Sequence, residues 1–293
     1  MNIRNIDSHT VELVLNLDDS TLPADQMPAR PVSGAERAGA LRAEREAAYR
    51  QMHRLMQDIS SLRAREMRFA MSRQAVIADM MFRLALAAEM RKGSGVEDVV
   101  RIGVMSALLA NEMGWSPDQC DAIQLAAPLR DLGWAALPDY WQVIDSSEPS
   151  ERRRLAAHCA LGKQLLDDSG DPAMEMAAAI ASSHHERHDG HGYPLHLAGE
   201  AIPPAARIVG CIDVFNTLIE GGGEIPTLSP EEAMDQILRS DAWFHPDVLA
   251  ALGRIRELLL AIHTVLDPSM LNDEVRAAIR SQWRPGFWRC FLG

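Results

Sequence analysis

Three chain breakers fall within six residues at Asp189-Gly190-His191-Gly192-Tyr193-Pro194, and no helix or strand passes through such a run. A helical pattern enters it from about Pro172, carried by Met174, Met176, Ala177 and Ile180, and must stop near Asp189. Five of the ten histidines lie between 184 and 196: His184, His185, His188, His191 and His196. They therefore occupy a helix end and the loop leaving it, where side chains can converge on one point. Imidazole is the commonest side-chain metal ligand, and His184-His185-Glu186 with Asp189 nearby suits a hard or borderline divalent ion. The alternative is a polar helix end with solvated histidines.

At 293 residues the chain can hold one good-sized domain plus extensions, and 47% hydrophobic residues argue against wholesale disorder. A net charge of −12 argues against DNA or an anionic membrane as partner. Any phosphate-bearing ligand must find local positive charge, from a metal or from Arg. Cys120, Cys159, Cys211 and Cys290 are scattered without a C-x-x-C pair and read as core residues in a reducing compartment. Met1-Asn2-Ile3-Arg4 lacks an apolar signal core, and no run of 18 apolar residues occurs; the expectation is a cytoplasmic protein.

Residues 1–34 carry a weak strand signal at Val11–Leu17, then Pro23, Pro28 and Pro31, an irregular segment and linker. Residues 35–75 read as an amphipathic helix, with Met52, Leu55, Ile59, Leu62 and Phe69 at three- and four-residue spacing, broken by Glu66. It either pairs with a second copy through residues 40–72 or packs on its own domain.

A domain over 76–265 opens with an apolar helix through Met80, Met81, Leu84, Leu86 and Met90, expected to be central. A second helix, about Glu97 to Met113, ends at Gly114. Ser116-Pro117-Asp118-Gln119 and Ser229-Pro230-Glu231-Glu232 are capping boxes that start helices. Residues 266–293 hold a further helix and a tail with Trp283, Phe287, Trp288 and Phe291, expected to pack back on the domain, or else to dock a partner.

His184-His185-Glu186-x-x-Asp189-Gly190-x-Gly192-Tyr193-Pro194, followed by Leu197-x-Gly199-Glu200-x-Ile202-Pro203 and Asp213-Val214-Phe215, resembles the HD-GYP family over roughly residues 77 to 262. The resemblance implies an all-α HD-domain helical bundle of HD-GYP type, here with a long N-terminal helix and a short, partly irregular N-terminal segment. It also implies a metal-dependent phosphodiesterase that hydrolyses cyclic di-GMP on a metal pair. By motif match, Asp131 is the bridging and catalytic carboxylate, and His158, His184, His185 and Asp213 are further metal ligands. Asp213 lies in an almost wholly apolar stretch, so something cationic should face it, a metal or an Arg. The loop at Gly192, Tyr193 and Pro194 would make signalling contacts with partners such as diguanylate cyclases.

The departures are specific. Arg130 replaces the histidine before Asp131, and Trp134 replaces a lysine. Ser94 and Asp98 stand where the family has Glu and His, Asn216 where it has Asp, and an Arg-Pro-Tyr segment is missing around Gly221-Gly222-Gly223. A guanidinium has no lone pair for a metal. Its fixed charge beside Asp131, Asp98 and Asp213 would take the first ion's electrostatic place, leaving one divalent metal, iron or manganese, and a doubtful second site. Arg130 and Arg207 could then grip a phosphate of cyclic di-GMP or a related dinucleotide. His188, His191 and His196 match no family ligand and read as solvated. Two readings stay open: a phosphodiesterase yielding pGpG or GMP from a reduced metal centre, and a non-hydrolytic receptor or docking regulator.

Overall fold

A computed structural model describes residues 34–93, 95–137, 156–221, 226–267 and 271–292. The strand signal at 11–17, Ser94, Gly222 and Gly223 lie outside the described residues. The chain divides into two compact units, Met1–Met67 and Arg68–Gly293. Among the described residues every regular element is helical.

Helix α1 runs over Gly34–Lys92. The apolar pattern suggests two helices meeting near residue 75, but one passes straight through, because neither Gly nor Pro interrupts residues 40–92. In the first unit Met52, Leu55, Ile59 and Leu62 are exposed. In the second unit, Ala78, Met81, Phe82, Ala85, Ala88 and Glu89 are buried at helical spacing, while Met80, Leu84 and Met90 remain exposed. The segment through Met80 and Met90 is thus half-buried.

The central helix is instead α2, Val96–Glu112, buried along fifteen of its residues. It ends at Gly114, whose positive φ of 82° an L side chain would resist. Ser116 opens α3, Pro117–Ala126, by the expected reciprocal cap: its hydroxyl accepts from Gln119 N–H, and Gln119 Oε1 accepts from Ser116 N–H. Short 3-10 turns at Ala127–Leu129 and Leu132–Ala136 bracket Arg130 and Asp131.

Helices α4 (Ala157–Leu166), α5 (Pro172–Ser183) and α6 (Pro204–Glu220) follow, then α7 (Pro230–Leu238), α8 (Pro246–Arg254), α9 (Arg256–Val265) and α10 (Asp273–Gln282). Packing of α4 on α5 and on the 132–136 turn, and of α6 on α2 and α5, brings together the start of α4, the end of α5 and the middle of α6. Two glycines permit this. A Cβ on Gly133 would overlap the His158 carbonyl, and one on Gly210 would overlap the His184 carbonyl. The aromatic tail packs back on its own unit. Trp288 is buried, its indole N–H donates to Asp121 at 2.8 Å, and Trp283 meets Phe82 at 5.4 Å between ring centres.

Candidate metal centre and its surroundings

Asp131 stands at the turn between the two 3-10 segments, His158 in the first turn of α4, His184 at the C-cap of α5, and His185 just beyond it. Asp131 Oδ1 lies 3.5 Å from His158 Nε2 and 3.6 Å from His184 Nε2. The ligand atoms of His158, Cys159, His184 and His185 all lie within 4.8 Å of one another.

His184 Nδ1 donates to the Ile180 carbonyl at 3.1 Å, which leaves Nε2 as the lone-pair nitrogen. That Nε2 is buried and has no hydrogen-bond partner. Burial, reinforced by His184 and His158, holds the His185 pKa well below its ordinary value, so its imidazole stays neutral. Burial, then Asp131 and Glu186, push the Cys159 thiol far up. His158, His184 and His185, with Asp131 adjacent, form a donor set that could hold a divalent ion.

On the other side of Asp131 lies a guanidinium. Arg130 Nε lies 2.5 Å from Asp213 Oδ1 and 3.4 Å from Asp131 Oδ2, and Nη1 lies 3.1 Å from Glu89 Oε1. All four side chains are buried. Burial by itself would lower the Arg130 pKa, but Asp213, Glu89 and Asp131 together raise it above the ordinary value. The side chain is a permanent cation. Asp213, expected to ligate metal, pairs with Arg130, a cation of the kind its apolar setting called for.

Asp98 is not the third carboxylate at Arg130. It accepts from Gly95 N–H at 3.2 Å, at the start of α2, and pairs with Arg101. Glu89 takes that role, and sequence reasoning missed it. The available signal was its register: Glu89 falls on the buried face of α1, four residues after Ala85 and seven after Phe82.

Trp134 stacks on the His158 ring at 4.6 Å and 15°, and Tyr193 stacks on His185 at 4.6 Å and 26°. The loop bearing Gly192, Tyr193 and Pro194 is held by Glu186, whose carboxylate accepts from Leu195 N–H at 2.6 Å and Leu197 N–H at 3.0 Å. Asn216 is buried with its Oδ1 unpartnered.

Arg207 serves as a brace. Its Nε donates to the Ile202 carbonyl, and its Nη2 to the Glu200 carbonyl and carboxylate, at 2.7 to 2.9 Å. With Arg130 enclosed by carboxylates and Arg207 so engaged, the expected two-arginine phosphate clamp has no support in this geometry. His191 is exposed as expected, but His188 is not simply solvated: its Nδ1 is buried and its ring meets His245 edge-on at 5.1 Å.

Two pockets flank His185. One, about 270 Å³, is lined by His185, Arg187, Tyr193, Arg207, Trp243 and His245 among others. The second, about 440 Å³, includes Asp213, Thr217, Gln236 and Ser240. Arg130 lines neither. No helix among the described residues is long and apolar enough to cross a membrane.

The cyclic di-GMP phosphodiesterase response regulator RpfG of Xanthomonas campestris is 38% identical over 142 residues, 48% of this chain and 38% of that protein. A cyclic di-GMP phosphodiesterase of Thermotoga maritima is 32% identical over 168 residues, 56% of this chain and 45% of that one. The 3'3'-cGAMP-specific phosphodiesterase 2 of Vibrio cholerae is 33% identical over 141 residues, 48% of this chain and 27% of its own. The chain thus spans less than half the length of these relatives. Among solved structures, a cyclic GMP-AMP specific phosphodiesterase of V. cholerae (V-cGAP3) shares the fold, with a TM-score of 0.52 and 20% identity over 71% of this chain and 54% of that one. The family described as HD domain matches residues 80–248, more than half of the chain; with the motif at 184–194, the chain belongs to the HD domain family, in its HD-GYP branch.

Proposed function

We propose that this chain works in cyclic di-GMP signalling as a nucleotide receptor or partner-docking regulator, built on a phosphodiesterase scaffold whose metal centre is reduced to one divalent ion. The observation that carries this reading is the Arg130 guanidinium, buried among Glu89, Asp131 and Asp213 at 2.5 to 3.4 Å. When bound, a divalent ion polarises a phosphoryl oxygen and lowers the pKa of coordinated water from ~15.7 to about 7; a pair about 3.5–4 Å apart also clamps the leaving oxygen. A guanidinium neutralises the carboxylates, but it cannot coordinate water and cannot lose its proton to act as a base. His158, His184 and His185 would hold the remaining ion, with Asp131 beside it.

The second reading, a phosphodiesterase working from the reduced centre, is favoured by the convergence of Asp131, His158 and His184 within 3.6 Å. The two readings separate in one assay. The purified chain is loaded with iron or manganese and given cyclic di-GMP; binding, linear pGpG and GMP are measured beside metal content. The receptor reading expects nucleotide binding with no more than one ion per chain and only trace product. Turnover of bound nucleotide on the scale of minutes or faster, or two ions per chain, would overturn it.

Self-association through residues 40–72 belongs to the same proposal. Met52, Leu55, Ile59 and Leu62 form an exposed stripe, and Asp58 and Arg63 flank it with opposite charge at positions that face each other in a parallel pair of helices.

A further inference from the structure

Cys159 follows directly on the family histidine His158, and its Sγ lies 3.5 Å from His158 Nε2. Around a tetrahedral ion with metal–nitrogen bonds of ~2.0–2.1 Å and a metal–sulfur bond of ~2.3 Å, the nitrogen–sulfur edge is about 3.6 Å. Sulfur and imidazole are therefore already spaced as two corners of such a site. The ligand atoms of His184 and His185 complete the set within 4.8 Å. An independent observation points to a ligand there. His184 is 3% exposed, its Nδ1 is committed to the Ile180 carbonyl, and its buried Nε2 has no hydrogen-bond partner.

We propose that the Cys159 thiolate is a fourth protein ligand to the ion held by His158, His184 and His185, making this a closed site of zinc type with one thiolate and three imidazoles. Without a cation, burial favours the neutral thiol. On coordination the sulfur–hydrogen bond is replaced by a sulfur–metal bond, and the proton leaves to solvent. The sulfur donor moves the choice of metal away from the iron or manganese implied by resemblance to the family, since thiolates select zinc over harder ions. Asp131 stays beside the site but is shared with Arg130, whose Nε lies 3.4 Å from its Oδ2. Four protein ligands leave no position for water, as in structural rather than catalytic zinc sites. This inference rests on the one-ion reading and deepens it: the surviving ion holds the α4 and α5 ends together and does not activate water.

The test uses the purified full chain loaded with cobalt(II) or zinc(II). Cobalt should bind at one per chain with a thiolate-to-cobalt charge-transfer band in the near ultraviolet. Zinc X-ray absorption should show one sulfur neighbour at about 2.3 Å. Cys159→Ser should lose the band, and its zinc affinity should fall by at least the ~10- to 100-fold typical of losing a group that only hydrogen-bonds a metal ligand. Cys290→Ser, at an exposed site, should leave the spectrum unchanged. One ion per chain without a sulfur neighbour would overturn the thiolate ligand and leave the one-ion reading standing; in that case Cys159 merely hydrogen-bonds His158. Two ions per chain with the sulfur signal would overturn the one-ion reading and the closed site. A folded chain that takes up neither metal would overturn both. The X-ray measurement is made on the unmodified chain, so the result does not depend on the folding of Cys159→Ser.

Discussion

Replacing Arg130 by His removes a cation from among three buried carboxylates, Glu89, Asp131 and Asp213, and offers an imidazole in its place. Removing one partner of a buried ion pair costs about 3–5 kcal/mol, because the remaining charge has lost its compensation. The lower end applies if one carboxylate takes up a proton instead. For a unit of the size of Arg68–Gly293, each kcal/mol is worth about 2–4 °C, so the metal-free variant should melt about 6–20 °C below the parent. A divalent ion can now take the vacated charge. At 100 to 1,000 times its Kd it returns ~2.7–4.1 kcal/mol, most of the loss. The assay is a pair of thermal melts, in chelator and in manganese or cobalt, with metal content measured on the same samples. Arg130→His should be unstable in chelator, largely rescued by metal, and should carry two ions where the parent carries one. A variant as stable as the parent in chelator, or one whose metal content stays at one or below, would refute the claim that the guanidinium stands in for an ion.

Three further outcomes follow from the same geometry. Gly210→Ala pushes a Cβ against the His184 carbonyl; it should cost about 1–3 kcal/mol by overpacking and weaken cobalt uptake at least tenfold, read by urea unfolding and metal titration. His263 is buried, and its pKa is lowered by desolvation and then by Arg101, with Asp267 and Glu231 opposing. Because the folded state holds this ring neutral, its contribution is complete above the unfolded value near 6.5 and is lost as pH falls below it; His263→Gln should flatten that slope in a stability–pH series. Ile59→Glu combined with Leu62→Glu should turn a dimeric parent into a monomer by analytical ultracentrifugation, and a parent that is monomeric at every concentration would remove the self-association proposal.

Legibility in the sequence followed the range of each interaction. Helix starts at Ser116 and Ser229 and the stop at Gly114 were readable, because caps and positive-φ glycines act within about four residues. The breaker run placed the end of α5 near Asp189, but the helix stops at Ser183, with His184 at its C-cap and His185 just beyond. The apolar pattern, interrupted at Glu66, suggested a boundary near residue 75, yet local sequence offers nothing that ends a helix there, and α1 continues. The buried face of Glu89 could be read only as a polar residue in an apolar register. What lay opposite could not.

By itself the sequence determined, through its resemblance to the HD-GYP family, the helical fold seen in the described residues, and through residue chemistry the incompatibility of Arg130 with metal ligation. Tertiary structure alone decided which carboxylates surround that arginine, choosing Glu89 over Asp98, and that Arg207 braces a loop. It also brought the Cys159 sulfur within reach of three imidazoles. Glu89 and Asp213 lie tens of positions from Arg130, and a partner's identity at that range is set by how helices pack against one another.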